Sequence, residues 1–301
     1  MSACAASVLD RLAGAPISWG VCEVPGWGTT LSRDRVLSEI AALGLRATEL
    51  GPRGYLGASP EEVAALLGVH GLACVGGFVP LVLHDPGARA ALRRDAEDAA
   101  QLLAGAGGSY FVTAAVRDAA WSEPLDLDEP GWAALAAGLG IVEEICRDHG
   151  LVQVLHPHVG TLVERADQLQ NLLGRSSVRI CLDTGHLAIG GVDPVAFANE
   201  HAARVALVHL KDVDLSRAAG VLAHRTSLLA ATRGGLFRRL GAGDLDIGAV
   251  VRALEGAGYG GWYVLEQDTV IDAGVAAAAD PARDVQASID YLRGELGTAG
   301  G

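Results

Sequence analysis

Among the 23 basic residues of this 301-residue chain only one, Lys211, is a lysine. A chain that uses arginine wherever a generic positive charge will serve singles out its one lysine as a candidate for chemistry. Basic clusters are absent as well. The arginines are scattered and the formal net charge is -13, so phosphate backbones and anionic lipid surfaces are repelled, which excludes nucleic-acid and membrane partners. No C-x-x-C pair occurs: Cys4, Cys22, Cys74, Cys146 and Cys181 are odd in number and widely spaced. That pattern argues against a disulfide framework or a structural zinc site and fits a reducing cytoplasm. There is no basic stretch leading into a hydrophobic core of the signal-peptide kind, and no run of about 18 apolar residues that would span a bilayer. A cytoplasmic location is expected. G-x-G-x-x-G is missing after the first expected strand, where Ser18-Trp19-Gly20 stands, which counts against a dinucleotide-binding sheet.

What the chain has in quantity is apolar residues, half of the total, enough for one large core. Short apolar runs recur, each followed by a longer alanine- and leucine-rich segment with helical spacing, the pattern of parallel strands joined by crossover helices. Eight units are counted, with strands expected at Pro16 to Gly20, Arg46 to Gly51, Leu72 to Val79, Tyr110 to Ala115, Val152 to His158, Val178 to Asp183, Val205 to Asp212 and Trp262 to Asp268. Ser32, Ser59, Asp193 and Asp280 are expected helix caps, and Gly44, Gly71, Gly150 and Gly256 expected helix stops. The fold class is therefore α/β, a single (β/α)8 barrel over residues 1–301. An insertion is expected at about 213–243 after the seventh strand, either a lid or a surface decoration, and a disordered tail from about 297.

In such a barrel the polar residues that end the strands converge at one mouth. Strand five ends in His156-Pro157-His158, strand six in Asp183-Thr184-Gly185-His186, strand seven carries His209 and Lys211, and strand eight carries Glu266. His156, Asp183, His209 and Glu266 offer one metal ligand from each of four neighbouring strands, and a set mixing imidazole with carboxylate suits manganese, cobalt, zinc or iron better than calcium. Residues two apart on a strand share a face, so His158 joins His156 at the mouth and Lys211 joins His209. His158 either meets substrate or orients a ligand, and Lys211 either meets substrate or pairs with Asp212 or Asp183. Glu49, ending strand two, is a base or hydroxyl anchor unless Arg46 or Arg53 claims it. Trp19 is an aromatic wall for substrate unless it packs in the core.

His156-Pro157-His158-Val159-Gly160-Thr161, Leu182-Asp183-Thr184-Gly185-His186-Leu187, Val208-His209-Leu210-Lys211-Asp212 and Gly260-Gly261-Trp262-Tyr263-Val264-Leu265-Glu266-Gln267-Asp268 together resemble the xylose-isomerase-like sugar isomerase and epimerase superfamily. Within it they look most like the inosose dehydratases. The resemblance covers nearly the whole chain and implies one divalent metal, manganese foremost, with Asp183, His209 and Glu266 at ligand positions and His156 where the superfamily usually has glutamate. It implies dehydration of a cyclic polyhydroxy-ketone through an enolate. His186 or Glu49 would be the base, Lys211 or His158 would protonate the leaving hydroxyl, and Trp19 and Thr184 would contact the sugar or cyclitol. A ketose isomerase or epimerase, a Schiff-base aldolase using Lys211, a nuclease relative and a non-catalytic sugar-binding barrel remain alternatives, and a homo-oligomer is as open as a monomer.

Overall fold

The computed structural model describes residues 7–297 except 23, 25, 275 and 277. The expected tail beyond 297, and Cys4, lie outside the described residues. Nine strand segments build one parallel sheet: β1 (Leu12–Gly14), β2 (Ala47–Thr48), β3 (Ala73–Cys74), β4 (Gly76–Leu81), β5 (Tyr110–Ala115), β6 (Val152–Leu155), β7 (Arg179–Asp183), β8 (Val205–Leu210) and, after a two-stranded ribbon of β9 (Asp212–Val213) and β10 (Phe237–Arg238), β11 (Tyr263–Leu265). Their order is β3-β2-β1-β11-β8-β7-β6-β5-β4. Only Val75 separates β3 from β4, so the two outermost segments are one stave and the sheet is a ring. Val75 donates its N–H to the Thr48 carbonyl on one side, and its own carbonyl accepts from Ser109 and Tyr110 on the other. The expected eight-stave barrel is the observed architecture.

Small and branched side chains fill the inside of the ring. Ala13, Ala47, Val75, Val112, Val154, Cys181, Leu207 and Val264, one from each stave, form a buried inner cluster, as a packed barrel requires. The larger outer cluster seats the crossover helices, for example through Leu37, Leu135, Leu172 and Leu254. Ser59 and Asp193 cap their helices through side-chain acceptors, and Asp280 accepts from Arg283 N–H. Ser32 holds the cap position without a side-chain bond. Gly44, Gly71 and Gly150 take positive φ where helices stop; the fourth stop falls to Gly258 rather than Gly256. No helix among the described residues is long and apolar enough to cross a membrane.

The first strand differs from expectation. It is Leu12–Gly14, and Pro16–Trp19 is a 3-10 turn. Proline has no N–H to give to a ladder, and Gly20 at φ 75 ends the segment. The turn carries Trp19 away from the mouth into the core, where it is 0% exposed and donates Nε1–H to Glu39 Oε2 at 2.7 Å. Other strands also stop short: β6 ends at Leu155 rather than His158, and β11 at Leu265 rather than Asp268.

The insertion is a packed element. β9 and β10 pair antiparallel and enclose two helices, Leu215–Leu222 and Leu228–Arg233, whose Val221 and Ala231 pack with Val213, Leu236 and Phe237 against Ile189. Its base is fastened by Asp212, whose carboxylate accepts backbone N–H from Val213, Gly241, Gly243 and Leu245 at 2.9–3.1 Å. A Cβ at Gly243 would collide with that carboxylate.

Candidate active site

The staves end together at one mouth, with polar residues at their last positions or just beyond them. Glu49, His156, Asp183, His209, Lys211, Glu266 and Asp268 gather there, each at most 9% exposed. His156 Nε2 lies 3.3 Å from Asp183 Oδ2. His209 bridges, with Nε2 3.1 Å from Glu49 Oε1 and Nδ1 3.3 Å from Glu266 Oε2 and 3.7 Å from Asp183 Oδ2. Lys211 Nζ sits 3.3 Å from Asp183, 3.0 Å from Glu266 and 2.8 Å from Asp268. Asp212, considered a partner for Lys211, instead turns to the backbone of the insertion, and Arg53 pairs with Asp98 rather than Glu49.

The electrostatics follow from burial opposed by partners. Desolvation alone would lower the Lys211 pKa, but Asp183, Asp268 and Glu266 outweigh it and hold the pKa well above its ordinary value. His209 is likewise raised against burial by Cys181, Glu266 and Glu49. Asp183 and Glu266 stay below the usual carboxylate range despite burial because positive charge faces them, Lys211 for Asp183 and His209 with Lys211 for Glu266. Asp268 differs: burial dominates and pushes it up to about 6.

His158 and His186 stack with ring centroids 3.8 Å apart. His158 Nδ1 is 2.7 Å from the Val159 carbonyl. A carbonyl only accepts, so Nδ1 carries the proton and Nε2 keeps its lone pair in the neutral ring. Burial, then His156 and Lys211, lower the His158 pKa to about 3, which keeps it neutral. His186 lies behind the mouth, 1% exposed, with Nε2 3.2 Å from Lys211 Nζ and Nδ1 near the Val159 N–H. The Thr184 hydroxyl donates to the Lys211 carbonyl at 2.7 Å and accepts the Lys211 N–H at 2.8 Å. It fixes the lysine backbone and is turned away from the cavity.

The cavity above this cluster measures about 580 Å³. Glu49, His156, His158, His209, Lys211, Glu266 and Asp268 line it; Trp19, Thr184 and His186 do not. Phe78 and Trp121, stacked at 6.1 Å, make the aromatic wall that Trp19 was expected to make. The insertion contributes Val221, Leu222 and the run from His224 to Leu229, so it covers the mouth. Sequence reasoning missed Asp268, although its position two residues after Glu266 repeats the spacing of Lys211 after His209. It also missed Glu164 and Phe237, whose ring lies 5.2 Å from Lys211 Nζ and which belong to loop and insertion.

The donor set fits a divalent cation. Asp183, Glu266 and Asp268 face Lys211 and Glu49 faces His209, so four buried carboxylates meet one lysine and one imidazole, a surplus of negative charge that would be costly without a further cation. His156 Nδ1 and His209 Nδ1 are buried without hydrogen-bond partners. Donor atoms of two overlapping triads, Glu49–His209–Glu266 and His156–Cys181–His209, each lie within 4.8 Å of one another. The triads contain His156, His209 and Glu266 of the expected ligand set but not Asp183, and bring Glu49 and Cys181 to its edge.

The model of the family described as "Xylose isomerase-like TIM barrel" matches residues 37–295. An inosose dehydratase of Geobacillus kaustophilus is 30% identical over 294 residues, covering 94% of each chain. A rhizopine catabolism protein, MocC, of Rhizobium meliloti is 31% identical, covering 86% of this chain and 81% of its own. Among solved structures, the D-allulose 3-epimerase of a Methylomonas species superposes with a TM-score of 0.69 at 15% identity, over 95% of this chain and 96% of that one. Ring, mouth and full-length matches agree: the chain belongs to the xylose isomerase-like TIM-barrel family.

Proposed function

We propose that this chain is a metal-dependent dehydratase acting on a cyclic polyhydroxy-ketone of the inosose type. The observation that carries the reading is His209 Nδ1, buried and unbonded between Glu266 and Asp183 at the floor of a covered cavity. Full-length similarity to an inosose dehydratase supports the choice of reaction. His156, Asp183, His209 and Glu266 would hold the ion, manganese foremost. When bound, it supplies a Lewis acid for the negative charge that develops on the ketone oxygen as a neighbouring proton is lost.

The chain's own residues do the remaining work. Glu49 lines the cavity beside His209 and is the base for the C–H proton; His186, set behind Lys211, is not. Lys211, held protonated, is a fixed positive donor for developing oxygen charge rather than a titrating acid, since a proton so firmly held transfers poorly. Asp268 lines the cavity 2.8 Å from Lys211 and is pushed up to about 6 by burial, so the leaving hydroxyl takes its proton from Asp268 while Lys211 keeps its own. The proton lost to Glu49 and the hydroxide lost from the next carbon sum to one water. The insertion and the Phe78–Trp121 wall line the cavity above these groups, and the lower dielectric they bring strengthens each of these contacts.

The test follows conjugated enone formation from an inosose before and after chelation, with manganese added back. Loss and recovery of turnover support the reading. Undiminished turnover in metal-free protein refutes the metal, and deuterium uptake from heavy water without loss of water refutes dehydration in favour of isomerisation.

A further inference from the structure

One buried carboxylate of the cavity lining is used by no step above. Glu164 lines the cavity with its side chain only 4% exposed. One oxygen, Oε2, accepts the Gly160 N–H at 2.8 Å. The other, Oε1, is buried and has no hydrogen-bond partner. The nearest basic side chains are Arg165 at 3.8 Å and His224 at 3.9 Å, both beyond hydrogen-bond range. Leaving a buried carboxylate oxygen unmet is costly, and Arg165 is drawn off by Asp126 at 2.6 Å. His224 reaches down from the insertion, where its backbone adopts a left-handed φ of 52. Nonglycine residues rarely hold that conformation without support from their surroundings.

We propose that Glu164 is a specificity-determining residue whose free Oε1 accepts a hydrogen bond from a substrate hydroxyl remote from the ketone, with His224 of the insertion closing over the pair. The inference rests on the function proposed above and adds to it the part of the ligand being read. A ligand that meets both the ligand cluster and Glu164 must carry a hydroxyl besides those at the reacting carbons, so the site selects a polyhydroxylated ketone over a deoxygenated one. A carboxylate suits this task because it accepts from a hydroxyl and leaves an analogue lacking that hydroxyl with an unpaired buried charge.

The test measures binding rather than turnover, so that it survives if the reaction is misassigned. Quenching of tryptophan fluorescence, with Trp27 and Trp121 lining the cavity, reports the affinity of an inosose and of its monodeoxy analogues. In the wild-type protein one remote deoxy position should weaken binding by about 10- to 100-fold. In Glu164→Gln the amide oxygen can keep the Gly160 contact while its NH2 replaces the free acceptor, so that penalty should shrink to within about threefold while other deoxy positions keep theirs. Glu164→Ala should behave alike if it folds. If Glu164→Gln weakens all analogues equally, or leaves the remote penalty intact, Glu164 has only a structural role and the proposal is wrong. Wild-type protein that binds no inosose overturns the ligand class. Binding with the expected pattern but no loss of water would sustain Glu164 and sink the dehydratase reading alone.

Discussion

Replacing Asp212 with alanine removes the fastening of the insertion. The carboxylate accepts four backbone N–H bonds, from Val213, Gly241, Gly243 and Leu245. In Asp212→Ala these donors lose their acceptor together. At about 1 kcal/mol for each donor, the low end because three of the four are only partly buried, the loss is about 4 kcal/mol. An unfolding entropy of about 2.1 cal/mol/K per residue gives a 301-residue chain roughly 0.6 kcal/mol/K, so the melting temperature should fall by roughly 6 °C. Should the insertion open locally before the barrel melts, limited proteolysis would cut between residues 214 and 240 in the variant and not in the parent. Calorimetry and protease mapping on the same samples cover both routes. A melting temperature within about 1 °C of the parent, together with an unchanged cleavage pattern, would refute the argument.

Trp19→Phe should lose the Glu39 bond and some packing, costing about 1–3 kcal/mol in stability, yet leave KM unchanged, because Trp19 lies in the core. A raised KM at unchanged stability would restore it to the cavity wall. A divalent ion at 100 times its Kd should stabilise the protein by about 2.7 kcal/mol, or roughly 4 °C at this chain length, in differential scanning fluorimetry; Asp183→Asn with His209→Gln should abolish the increment. Burial pushes the thiols of Cys74 and Cys146 up to about 12 and that of Cys181 to about 11. Iodoacetamide at pH 8 should therefore spare all three in the folded protein and modify them after denaturation, as read by peptide mass mapping.

The barrel could be read from the chain because most staves lie in runs rich in Val, Ile, Leu or Ala bounded by capping and stopping residues, a local signal that survives folding. His156, Asp183, His209, Lys211 and Glu266 were legible for a related reason: polar residues at the ends of apolar runs have one mouth to go to. Trp19 was misplaced because Pro16-Ile17-Ser18-Trp19 is apolar enough to imitate a strand, while the real one, Leu12-Ala13-Gly14, is three residues of modest β propensity whose place is set by pairing with β2 and β11. Thr184 and His186 follow Asp183 into a short helix (Thr184–Ile189), and a change of period turns side chains away from the direction a continuing strand would give them. Glu164 lay beyond sequence reasoning because its unpaired oxygen exists only once the insertion, some 60 residues later, has packed against the loop after β6.

The burial of Lys211 also has a practical side. Being 2% exposed and the only lysine in the chain, it leaves the folded surface without a lysine amine. Succinimide esters, reductive methylation and enzymatic acetylation thus find no side-chain target outside the mouth. Modification at residue 211 would therefore time-stamp the opening of the cavity, making this one amine an intrinsic reporter that needs no introduced label.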